Sequence, residues 1–90
     1  MVERKVKIIN PSGLHLRPAA VLAKEATKCN SDVKIMYGNH VGNAKSSLNI
    51  MSMVIKQGTE ITLTCEGETE QEDMAALVAL IESGLGELDT

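Results

Sequence analysis

The 90 residues contain no tryptophan, no phenylalanine and one tyrosine. Proteins that bind single-stranded nucleic acid stack bases on aromatic rings, and that platform is missing here. A formal net charge of −3 adds no global attraction to a phosphate backbone. No nucleic-acid partner is expected. Long apolar runs are also absent: none approaches the ~20 residues that span a bilayer, and the N-terminal residues alternate charged and apolar side chains instead of forming a leader. No membrane partner is expected, and the expected location is cytoplasmic. Cysteine is scarce, and Cys29 and Cys65 are far apart with no Cys-x-x-Cys or histidine at ligand spacing. Both read as small buried hydrophobes, with neither a disulfide framework nor a zinc site. His40 has no ligand-spaced partner and reads as a surface residue. No metal and no cofactor is expected. Without a carboxylate pair, a metal set or a phosphate-binding glycine loop, a catalytic enzyme is the class least supported.

What is present is a 43% hydrophobic content made of aliphatic side chains and five methionines, enough for one small core. Repeats, linkers and low-complexity segments are lacking, so residues 1–90 read as a single domain without a deep cleft. Val2 to Ile9 alternates Val2, Val6 and Ile8 with charged residues, Arg4 being the exception, and predicts a half-buried strand. Ala19, Leu22, Ala23 and Ala26 recur at helical spacing and predict a first helix ending near Asn30. Val33, Ile35 and Tyr37 alternate up to Gly38-Asn39, a hairpin signal that pairs this strand antiparallel with His40 to Asn43. Ser46 precedes a short helix in which Leu48, Met51 and Ile55 share a face, closed by Gly58. Ile61, Leu63 and Cys65 define a fourth strand. Thr69 with Glu72 forms a capping box for a last helix carrying Met74, Leu77, Val78, Ile81 and Leu85, which frays at Gly84 and Gly86. The order β-α-β-β-α-β-α, with one-sided strands and amphipathic helices, predicts an α+β two-layer sandwich: an antiparallel sheet, helices on one face, the other face open. Strand order does not follow from the pattern.

Chemistry concentrates in Asn10 to Ala26, NPSGLHLRPAAVLAKEA. His15 falls at or one residue before the first helical position, where unpaired N–H groups and the helix dipole favour an anion. Pro18 suits the first turn, because the N–H it lacks would have been unpaired. Gly13 permits a tight bend and Ser12 offers a hydroxyl beside it. An uncharged imidazole in this position has a ring nitrogen available to attack phosphorus. The first-turn amides and the Arg17 guanidinium would then hold the phosphoryl oxygens. A capping histidine and a solvated arginine are the plainer alternatives.

Gly13-Leu14-His15-x-Arg17-Pro18-Ala19, together with Lys45-Ser46-Ser47-Leu48 to Met51, resembles HPr, the histidine-containing phosphocarrier family of the bacterial phosphoenolpyruvate:sugar phosphotransferase system. The resemblance covers essentially the whole chain. It implies an open-faced β-sandwich with strand order 1-4-2-3 and three helices on one face. It implies that His15 accepts a phosphoryl group from phosphorylated Enzyme I and donates it to sugar-specific Enzyme IIA domains, with Arg17 as phosphate clamp and Ser12 and Leu16 as further phosphate contacts. Ser46 matches the serine modified by HPr kinase/phosphorylase in relatives whose phosphoserine form binds a catabolite-control transcription factor; its plainer role is an N-cap. Partner docking is expected on Leu16, Ala20, Ser47, Leu48, Met51 and Met53, with Arg17, Lys24 and Lys45 at the rim. The carrier would be consumed and regenerated stoichiometrically, as a monomer and not as an enzyme. Leu16 stands where the family most often has alanine, and Ser47 interrupts the apolar docking patch. A paralogue for a regulatory or non-sugar branch, and a binding module without phosphotransfer, are the competing readings.

Overall fold

The computed structural model describes residues 1–87. Four strands, β1 (Val2–Lys7), β2 (Asp32–Tyr37), β3 (His40–Asn43) and β4 (Glu60–Glu66), alternate with three helices, α1 (Leu16–Thr27), α2 (Ser47–Ser52) and α3 (Glu70–Glu82). The sheet is antiparallel throughout, in the order β1-β4-β2-β3. Both the element order and the strand order agree with the sequence reading.

Period-two alternation divides the sheet. Val6, Ile61, Leu63, Cys65, Val33 and Ile35 are buried on one face together with Leu22, Ala26, Leu77, Val78 and Ile81 of the helices. On the other face, register places Lys5, Thr62, Met36 and Val41 in one row and Glu3, Thr64, Lys34 and Asn43 in the next. Helix α3 lies over β1 and β4 and against α1, while α2 packs on α1 and the end of β3. The two cysteines are buried and free, and burial, followed by the Asp73 carboxylate, pushes the Cys29 thiol up to about 11. Neither is a nucleophile at neutral pH.

Three expectations need correction. Ile55 does not share a face of α2 with Leu48 and Met51: it lies beyond the helix and is buried, Ile50 is the residue α2 turns inward, and Leu48, expected among the docking residues, is 72% exposed. A helix of six residues is too short for periodicity to fix its orientation. The capping box does not form: Thr69 Oγ1 donates to Asp73 Oδ2 at 2.9 Å, and the Ser31 amide reaches the same oxygen at 3.1 Å. A carboxylate serving two elements outcompetes the local cap. Leu85 is not on the α3 stripe. The helix stops at Ser83, and the amides of Gly84 and Leu85 donate back to Ile81 and Leu80 in a left-handed terminus that returns Leu85 to the core.

Candidate functional site

Helix α1 begins one residue after His15. The His15 carbonyl accepts from Ala19 N at 2.8 Å while its own backbone is extended at φ −85°, ψ −162°. No side chain caps this end and the first turn holds no acid. The amides of Leu16 and Arg17 therefore have no partner within the helix, directly after an exposed histidine. His15 and Arg17 are both solvent-exposed, whereas Pro18 and Ala19 are buried and anchor the turn.

The segment before the helix is fastened from two sides. Gly13 adopts φ +63°, and a Cβ there would lie within 2.8 Å of Lys56 Cα and closer still to the Ile55 carbonyl oxygen. Only glycine fits both that conformation and that approach. The next amide, Leu14 N, donates to the same Ile55 oxygen at 2.9 Å and the Leu14 side chain is buried. On the other side Glu87, beyond α3, receives Ser12 Oγ at 2.7 Å, Ser12 N at 3.0 Å and Asn10 Nδ2 at 2.9 Å. Asn10 is fully buried and also donates to the Gly13 carbonyl at 2.7 Å. The Asn10 amide, then the Ser12 hydroxyl and amide, hold the Glu87 carboxyl below the usual glutamate value, with Arg17 adding a smaller pull in the same direction.

Ser12 thus stands beside the histidine turn with its hydroxyl already engaged by Glu87. Asn10, Ile55 and Glu87 were not among the sequence candidates. A buried turn asparagine is hinted at by the Asn-Pro-Ser-Gly stretch, but no local signal could have found a partner 77 residues away.

Among the apolar residues of α1 and the α2 segment, Leu16 at 64%, Ala20, Leu48 and Val54 at 67% are exposed, with Met51 half-buried. Lys24 is exposed as well. Lys45 is half-buried and its Nζ donates to the carbonyl of Cys29, the residue after the α1 C-cap, at 3.1 Å. Met53, expected at the surface, is buried against Gly42. A recess of about 290 Å³ opens between Ser12, Leu14, His15, Met51, Val54, Ile55 and Lys56. A larger groove of about 560 Å³ between β1 and α3 shares no lining residue with it and contains no histidine, cysteine or hydroxyl nucleophile.

Ser46 caps α2: its Oγ accepts from Asn49 N and Asn49 Nδ2, both at 3.2 Å. Among the described residues no group of three or more His, Cys, Asp or Glu is placed to hold a metal, and no helix is long and apolar enough to cross a membrane.

Residues 2–83 match the family model for the PTS HPr component phosphorylation site. The chain is 46% identical over 70 residues to the phosphocarrier protein HPr of Mycoplasma capricolum, covering 78% of this chain and 79% of that protein. The crystal structure of HPr from Thermoanaerobacter tengcongensis superposes with a TM-score of 0.93 at 44% identity, covering 97% of this chain and 98% of the other. A crystal structure of Crh from Bacillus subtilis, described as a dimer with a swapping domain, matches at a TM-score of 0.74 and 40% identity over 92% and 95% of the two chains. The fold, the histidine at an open helix end and these relatives agree: the chain belongs to the HPr family of phosphocarrier proteins.

Proposed function

We propose that residues 1–90 act as one carrier domain that accepts a phosphoryl group on His15 from phosphorylated Enzyme I and donates it to Enzyme IIA domains of a sugar phosphotransferase system. The observation that supports this most directly is the exposed imidazole at an uncapped helix end, with Arg17 two positions along. In-line attack on phosphorus requires a ring nitrogen that a partner can approach, and an exposed side chain meets that requirement. The phosphate oxygens would be received by the amides of Leu16 and Arg17 and by the Arg17 guanidinium, a planar fork suited to two oxygens at once. The Ser12 hydroxyl joins them only by leaving Glu87.

Leu16, Ala20, Leu48 and Met51 would seat the partners in turn, with Ser47 among them and Arg17 and Lys24 at the edge. Methionine and leucine at such a surface adapt to several shapes, as a relay requires. Lys45 enters the reading chiefly through its hold on the Cys29 carbonyl in the segment that follows α1. The phosphohistidine is transient, so the protein is turned over as a reactant and not as a catalyst. A monomer is the working unit in this reading, set against the dimer with a swapping domain described for Crh; sedimentation at micromolar concentration checks it.

Ser46 supports a second, regulatory reading, in which HPr kinase/phosphorylase modifies it and the product binds a catabolite-control transcription factor. A phosphate there adds about −1.5 to −2 charge at the α2 N-terminus, close in sequence to the docking residues Leu48 and Met51. Retention of His15 and Arg17 favours the carrier over a binding module.

The test is to incubate the chain with phosphoenolpyruvate and Enzyme I and follow intact mass. One acid-labile phosphoryl group is expected, lost in His15→Ala and retained in Ser46→Ala. No gain with several Enzyme I sources would favour the binding module.

A further inference from the structure

Among the described residues two non-glycine residues hold left-handed backbone: Val54 at φ 51° and Leu85 at φ 53°. That conformation crowds Cβ against a carbonyl oxygen, and a β-branched side chain suffers most. For Leu85 the strain is offset, since the side chain is 1% exposed and completes the core. Val54 has no such offset at 67% exposure. It follows the α2 C-cap Met53, its amide donates to the Met51 carbonyl at 3.1 Å, and this is the position that glycine ordinarily fills. The fold alone would be better served by glycine or asparagine.

Val54 shares the lining of the recess with His15, Met51 and Lys56. A protein that brings phosphorus to the imidazole must cover this rim. The lining is apolar at Leu14, Met51, Val54 and Ile55 and carries a cation at Lys56, with Arg17 two positions along the chain from His15, so it suits an apolar surface with an anionic group at its centre. We propose that Val54 is a specificity-determining contact residue whose isopropyl group forms the α2 side of the histidine recess and seats the phosphoryl-donating protein. This rests on His15 being the acceptor and adds a residue to that docking surface.

The test measures steady-state phosphorylation of the intact chain by Enzyme I and phosphoenolpyruvate, together with thermal melting, for wild type, Val54→Gly, Val54→Asn and Val54→Leu. The glycine and asparagine variants are expected to raise KM for the chain about fivefold with kcat unchanged, the signature of lost ground-state contact. At least one of them should melt at or above wild type, since strain relief opposes the greater freedom of an unfolded glycine. Val54→Leu keeps an apolar arm and should return KM to within about twofold of wild type. Unchanged KM in the glycine and asparagine variants would overturn the proposal. So would a lower melting temperature in both, because Val54 would then serve the fold. If wild-type chain takes no phosphate on His15, the carrier reading falls before any variant is made, and this proposal with it.

Discussion

Gly13 shows how much one residue contributes to placing another. Its positive φ and the Ile55 and Lys56 backbone against its Cα set the path by which the chain enters α1, and His15 follows two residues on. Alanine there would meet the left-handed penalty and a backbone clash together, so Gly13→Ala should lower unfolding free energy by roughly 2–4 kcal/mol. Urea denaturation measures that loss. Where the variant remains folded, slower phosphorylation of His15 is expected, because the turn must move to admit the methyl group. The glycine was legible as a turn residue from its neighbours. Its contact was not, since the close approach is to a segment more than forty residues away and leaves no local trace. The same holds for Glu87, whose three hydrogen bonds cross almost the entire chain.

Among the elements, α2 is the one whose ends decide its behaviour. It has six residues, fewer than an isolated helix needs, and depends on Ile50 packing inward and on Ser46 at its N-terminus. Ser46→Ala removes the acceptor for Asn49 N and should cost about 1 kcal/mol in a denaturant melt. Ser46→Asp keeps an N-cap oxygen and should hold stability near wild type while adding charge. Slower phosphate acceptance from Enzyme I at low salt is expected for Ser46→Asp, recovering as salt screens the added charge. An unchanged rate at low salt would refute electrostatic regulation through this serine. The long elements were legible because α1, α3 and β4 each repeat their period several times. Helix α2 is less legible, because six residues fit more than one orientation and Ile55, read onto its face, lies beyond its end. At α3 the capping signal was real in sequence, but the fold placed Ser31 within reach of Asp73 and reassigned the hydroxyl of Thr69.

For the whole molecule, acid should be the weak side. The Ser31 hydroxyl, then Thr69 and the Ser31 amide, hold Asp73 below its ordinary value; Glu87 is lowered by Asn10 and Ser12, and Glu70 by the Gly67 amide and then the chain's amino terminus. Groups depressed on folding contribute stability above their unfolded pKa and lose it as pH falls through the folded one. Urea midpoints should therefore change little from neutral pH to about 5 and drop below about pH 4. Asp73→Asn should cost about 1–2 kcal/mol at neutral pH and flatten that acid slope. The fold class could be inferred from alternation and helical stripes, but strand order could not, because β1 and β4 carry no mark naming each other. That pairing also governs how the molecule is born. Val2 meets Cys65, and Lys7 meets Glu60, across most of the chain. A growing polypeptide leaving the ribosome has its histidine early but neither the Ile55 anchor nor Glu87 until much later. Long-range closure of this kind is slow. The nascent chain should stay sensitive to proteases until nearly all of it has emerged, then gain protection in one late step.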